Sequence, residues 1–172
     1  MAKKRTTLPG FFVSYSSREP YLQVLFLCFW ILFRDKFQMH RTPSVLQSGV
    51  SQLSQITEAI KSSEFAIVVL DGLRPNVVFE YGLLRAMEKP VIVLKERNAR
   101  VDLEGYSTAA GTVTPELKLN VDMHLSNIKD INYAEWDRLD PQSSLETIAS
   151  EYEKKRSAIP SYSSILVPQL WK

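Results

Sequence analysis

The sequence predicts an α/β protein with a central, mostly parallel sheet of about five strands and helices on both faces. Two observations carry this. The runs FAIVVL (65–70) and PVIVLKE (90–96) are continuous apolar stretches, the mark of strands buried on both faces. Around them, strand-like and helix-like segments alternate, which implies parallel strands joined by right-handed crossovers.

Each element has its own signal. GFFVSY (10–15) is a β-prone run ending in the polar stretch SSRE, a first strand followed by a loop. Residues 19–36 read as a helix with Pro20 near its start, where proline is tolerated. FQMHRT (37–42) is a weak second strand. Pro43 and Ser44 open the next element, which frays around Gly49. From Val50 onward, Leu53, Ile56, Ala59 and Ile60 recur at helical spacing, giving an amphipathic helix laid on the sheet. The third strand, 65–70, stops at Asp71-Gly72. A helix from Pro75 to about Lys89 ends at Pro90, and the fourth strand follows. Residues 97–120 show no period and read as an irregular loop. A last edge strand is expected near Ile128–Tyr133. Residues 141–156 form a helix with Leu145, Ile148 and Tyr152 on one face and a basic cluster at its C-terminal end, where the helix dipole favours it.

Composition narrows the function. The 172 residues suit one domain with a sizeable core. We divide the chain into a basic N-terminal tail (1–9), a domain (10–158) and an apolar, Pro/Ser-punctuated linker or docking strip (159–172) that leads, in one reading, to a further domain. The 21 basic and 19 acidic residues leave a net charge of +2, not the footprint of a nucleic-acid binder. The single cysteine, Cys28, allows no intrachain disulfide, which fits a reducing, cytoplasmic setting. Its apolar neighbours argue against a catalytic thiol. His40 and His124 lie far apart in sequence, without metal-ligand spacing.

YLQVLFLCFWILF (21–33) is almost wholly apolar. It is shorter than the roughly 20 residues a bilayer span needs. A helix apolar all round is normally buried on every side. The expectation is therefore core plus a self-association surface, with membrane contact the lesser option.

The stretch RPNVVFEYGLL (74–84) reads as core interrupted by a carboxylate, Glu80. On a helical wheel with Val77 at zero, Arg85, Glu88 and Lys89 mark the solvent stripe, while Glu80 falls at roughly 300° and Asn76 at roughly 260°. The two stack one turn apart, away from the charges. Their helix starts just past the carboxyl end of a buried strand, the edge where open α/β sheets bind ligands. Two readings stay open: a ligand-facing carboxylate, or a structural one paired with a loop or an arginine such as Arg74. The loop Ser14-Tyr15-Ser16-Ser17 offers hydroxyls and backbone N–H groups for ribose or phosphate and a ring to stack on a base. Ordinary turn chemistry accounts for it equally well.

FFVSYSS, AIKSSEFAIVVL and RPNVVFEYGLLRAMEKPVIVL, in that order, resemble the TIR-like superfamily. They are most similar to its bacterial TIR-like nucleotide-binding branch, which shares its fold with nucleoside 2-deoxyribosyltransferases. That branch carries N-V-x-F-E-x-G followed by G/E-K-P-V-I, matched here by Asn76, Val77, Phe79, Glu80, Gly82 and Lys89-Pro90-Val91-Ile92. The resemblance covers about residues 10–96. It implies a flavodoxin-like three-layer sandwich. It also implies cleavage of an N-glycosidic bond, typically the nicotinamide–ribose bond of NAD, with Glu80 as the catalytic residue. Ser14, Tyr15, Ser16, Asp71, Asn76 and Tyr81 are the candidate substrate-binding residues. NAD+ enters as substrate, and no cofactor or metal is required. Such domains often act as oligomerisation-activated effectors in bacterial anti-phage defence. The first helix departs from the amphipathic one usual in these families. The expected partners are NAD or a related nucleotide and further copies of the chain through the first helix. A regulatory partner or additional domain is an option, and neither nucleic acid nor membrane is expected. Two alternatives remain: a nucleoside or nucleotide (deoxy)ribosyltransferase, and a non-catalytic nucleotide-binding adaptor.

Overall fold

A computed structural model of the chain describes residues 8–16, 21–41, 51–71, 75–97 and 131–170. Its elements are β1 (Gly10–Ser14), α1 (Leu22–Phe33), β2 (Gln38–Arg41), α2 (Gln52–Lys61), β3 (Ser63–Val69), α3 (Pro75–Ala86), β4 (Val91–Glu96), β5 (Ala134–Trp136) and α4 (Pro141–Glu153). The five strands form one parallel sheet in the order β2-β1-β3-β4-β5. This is the flavodoxin-like α/β architecture.

Strand alternation divides the core into two layers. Phe11, Val13, Phe65, Ile67, Val69, Ile92 and Leu94 face α1 and α4. Phe12, Ala66, Val68, Leu70, Val91 and Val93 face α2 and α3. Burial on both faces explains why β1, β3 and β4 read as unbroken apolar runs. In the first layer Phe11 stacks on Phe65, with ring centroids 5.2 Å apart. Phe33 and Tyr152 pack onto Phe65 from α1 and α4.

The last strand departs from expectation. It is Ala134–Trp136, not a segment within Ile128–Tyr133. Residues 131–133 are described and are not strand, and 128–130 lie outside the described residues. Trp136, which is buried, fixes the register through the pairing of Glu96 with Trp136. The loop expected over 97–120 and the frayed start expected at 43–50 lie largely or wholly outside the described residues.

Helix ends follow local chemistry. Asp140 caps α4 by accepting the Ser143 N–H at 3.0 Å, with Pro141 in the first turn. At the end of α3, Glu88 adopts φ 54°. The Lys89 N–H then reaches the Leu84 carbonyl and the Glu88 N–H the Arg85 carbonyl, the left-handed cap that usually takes glycine.

Helix α1 buries one stripe, Leu22, Leu25, Cys28, Phe29, Leu32 and Phe33. Its opposite side leaves Leu27 54% and Trp30 53% exposed, with the Arg34 guanidinium 4.0 Å from the Trp30 ring centre. Residues 159–170 run back over the same layer. Ile159 is buried, and Tyr162, Ile165, Val167 and Leu170 pack against the core. Ser161 donates to Glu64 through both its N–H and its hydroxyl, at 2.8 and 2.6 Å. The Leu170 N–H donates to Gln142 Oε1 at 2.9 Å. No described helix is long and apolar enough to cross a membrane.

Candidate functional site at the carboxyl edge of the sheet

The strand order reverses between β1 and β3, the switch point where open α/β sheets form a crevice. Ser14, the last residue of β1, and Glu80, in the second turn of α3, meet there. The Ser14 hydroxyl donates to Glu80 Oε2 at 2.6 Å, at the short end of the range for an O–H···O bond. Both residues are 1% exposed. Glu80 shares the inner stripe of α3 with Val77 and Leu84, which places it against the sheet, as its wheel position implied. Periodicity could not reveal its hydroxyl partner, because the two residues are 66 apart in sequence. Arg74, the counter-ion weighed above, lies outside the described residues.

Asn76 is exposed although it sits one turn from Glu80 on the same side of α3. Sharing that side does not bury it. Tyr81 is half-buried and packs with Leu83 and Met87 around the core layer under α2 and α3. Tyr15 follows Ser14 and alternation turns it to the opposite face, where its ring meets Phe26 of α1 edge-on at 4.8 Å. Ser16 is buried. The structure thus joins Ser14 to Glu80 and places Tyr15 on the α1 side of the rim.

Asp71 is also buried. Its Oδ1 accepts the Glu96 N–H at 2.7 Å, tying the chain after β3 to the end of β4. The Glu96 side chain is buried as well, and Arg138 Nε lies 3.6 Å from its Oε1. The Arg138 guanidinium rests over the Tyr21 ring at 4.9 Å, and Tyr21 leans on Trp136 with centroids 6.0 Å apart. Sequence reasoning missed this acid–base–aromatic chain. The available signal was a carboxylate, Glu96, closing the buried apolar run of β4. Among the described residues, the carboxyl edge therefore holds the buried acids Asp71, Glu80 and Glu96.

Burial pushes the Cys28 thiol up to about 11, which leaves it protonated and unreactive near neutrality. Two described cavities lie away from Glu80. One, of about 410 Å³, is walled by Phe29, Trp30, Phe33 and Phe37 at the α1 end of the sheet. The other, of about 660 Å³, lies between Ile31 and Leu166–Pro168. Residues 17–20, which follow Ser16 in sequence, and 72–74, which precede α3, lie outside the described residues.

No protein-family model and no curated protein matches the chain. Among solved structures, it is similar to the TIR domains of the activated Roq1 resistosome directly recognising the pathogen effector XopQ. The TM-score is 0.56 at 15% identity, covering 83% of this chain and 98% of that one. The fold is TIR-like.

Proposed function

We propose that the chain is a TIR-like NAD glycohydrolase that cleaves the nicotinamide–ribose bond and uses Glu80 as its catalytic residue. The observation that carries this reading is the buried Glu80 carboxylate, oriented by Ser14 at the β1/β3 switch point. In the reaction the ribose C1′–N bond breaks and its electron pair stays on nicotinamide, which departs neutral. The ribose is left as an oxocarbenium-like cation. A carboxylate held in a drier site stabilises that cation. Water then bonds to C1′ and loses a proton, giving ADP-ribose. If a ring nitrogen of the adenine attacks instead, the product is cyclic. Little acid catalysis is needed, which suits a site built on one glutamate.

The partly exposed α1, with Leu27 and Trp30 uncovered, supports assembly of copies through that helix as the activating step. On the resemblance stated above, the setting is cytoplasmic anti-phage defence. The test is to follow nicotinamide release and identify the sugar product from concentrated wild-type protein. Nicotinamide appearing with ADP-ribose or a cyclic form supports the reading. Product transferred to an added nucleoside base would instead mark a transferase. No cleavage at any concentration would leave a nucleotide-binding adaptor.

A further inference from the structure

Arg41 closes β2 at the carboxyl edge, next to the strand that carries Ser14. Val13 and Arg41 are register partners, so the Arg41 and Ser14 backbones lie about 6 Å apart from ordinary strand spacing and rise. Alternation turns Ser14 toward α3 and Arg41 toward α1. The Arg41 guanidinium sits 5.3 Å from the Phe26 ring centre, and Phe26 in turn packs on Tyr15. An exposed arginine thereby rests on an aromatic ring.

Other described cations at this edge are already engaged. Arg97 pairs with Asp137 at 3.1 Å and Glu135 at 3.9 Å. Arg138 pairs with Glu96 at 3.6 Å. Lys95 lies over Tyr133 at 5.3 Å, on β4, two strands from β1. Arg41 has no carboxylate within ion-pair distance among the described residues. A guanidinium presented in this way offers paired N–H donors to a phosphate.

The geometry points to Arg41 as the residue that selects a phosphorylated substrate by binding the diphosphate of a nucleotide whose ribose lies at Glu80. This rests on the hydrolase reading above for the placement of the ribose. The ligand crosses the rim at β1, with its sugar on the Ser14 side and its phosphates on the Arg41 side. Arg41 is a specificity-determining residue here. Glycosidic bond cleavage itself does not require it.

Two measurements test this. Calorimetric titration of ADP-ribose into wild type, Arg41→Gln and Arg41→Lys needs no turnover. Losing one charge-assisted contact at an exposed site should weaken ADP-ribose about tenfold in Arg41→Gln, with partial recovery in Arg41→Lys and a shallower salt dependence in the Gln variant. In parallel, the ratio of kcat/KM for NAD to that for nicotinamide riboside, which lacks phosphate, should fall about tenfold on the same grounds. ADP-ribose affinity in Arg41→Gln within twofold of wild type, or a wild type that binds no ADP-ribose, overturns the assignment. A wild type that binds ADP-ribose through Arg41 yet cleaves no NAD removes the hydrolase reading and supports this one.

Discussion

The Ser14 hydroxyl donates a 2.6 Å hydrogen bond to Glu80 Oε2, joining the end of β1 to the second turn of α3 at the point where the sheet reverses its strand order. A carboxylate buried on the inner stripe of a helix is costly unless polar contacts offset its lost hydration. Ser14 is one such contact, and it also fixes the direction in which Oε2 points.

Removing that donor should therefore cost stability. Ser14→Ala is expected to destabilise the fold by about 1–3 kcal/mol, because it strips a hydrogen bond from a buried acid. In a double-mutant cycle with Glu80→Ala, which removes the acceptor, the two changes should couple by about 0.5–3 kcal/mol. Urea unfolding of the four proteins reads both. Additive losses would mean that the bond contributes nothing of its own.

The sequence made some of this legible. The apolar runs of β3 and β4 could be read directly because helices cover both faces of those strands. The wheel put Glu80 on the inner side of α3, since a helix that lies on a sheet has only one side to bury. Its partner stayed hidden because a contact between residues 66 apart leaves no periodic trace. β5 was misplaced for a related reason. It is a three-residue edge strand in which only Trp136 is buried, so Ile128, Ile131 and Tyr133 offered a stronger apolar pattern than the strand itself. Leu53, assigned to the apolar face of α2, is 49% exposed. That helix buries Ile56 and Ile60 against the sheet, with Ala59 partly buried beside them. Arg41 was passed over because a lone cation ending a short strand is ordinary until its ring support, and the lack of a carboxylate partner among the described residues, are visible.

Self-association should depend on the uncovered side of α1. Leu27→Glu or Trp30→Glu places a charge on a side chain that is about half exposed, so the monomer should stay folded while association weakens. Light scattering of concentrated wild type and the variants checks this. A wild type that is monomeric at every concentration, or a folded variant that assembles equally well, would contradict the role given to this face.

Two glycines should respond in opposite ways. A Cβ at Gly82 would meet nothing within 4 Å, and glycine inside a helix is inferior to alanine. Gly82→Ala should therefore stabilise the fold by about 0.5–1 kcal/mol. A Cβ at Gly10 would overlap the His40 ring and crowd the Ser62 carbonyl at 3.2 Å. Gly10→Ala should therefore cost about 1–3 kcal/mol through forced repacking at the β1–β2 edge. Thermal unfolding of both variants distinguishes the two cases.

Alkaline pH should loosen the fold. Burial raises Cys28 from 9.0 to about 11, and the hydrogen bond to Glu153 raises Tyr162 from 10.0 to about 12. In each case the folded state holds the proton more tightly than the unfolded one. The associated stability is complete below the unfolded value and is lost as pH rises through the folded value. Unfolding free energy should thus decline from about pH 9 to pH 12, and Tyr162→Phe should flatten the upper part of that decline. Urea unfolding between pH 8 and pH 12 tests this. A flat profile, or an unchanged slope in Tyr162→Phe, would show that neither group is linked to folding.

The central claim is that the Glu80 carboxylate performs the chemistry. Its most direct test is NAD turnover by Glu80→Gln at a concentration where wild type is active, with the fold verified by unfolding. Glutamine keeps the shape and a hydrogen-bond acceptor for Ser14 but removes the negative charge that, on the proposed reading, stabilises the ribosyl cation. Nicotinamide release should fall by at least about 100-fold, the scale on which a single electrostatic stabiliser acts. Turnover in the folded Gln variant equal to that of wild type would contradict the assignment.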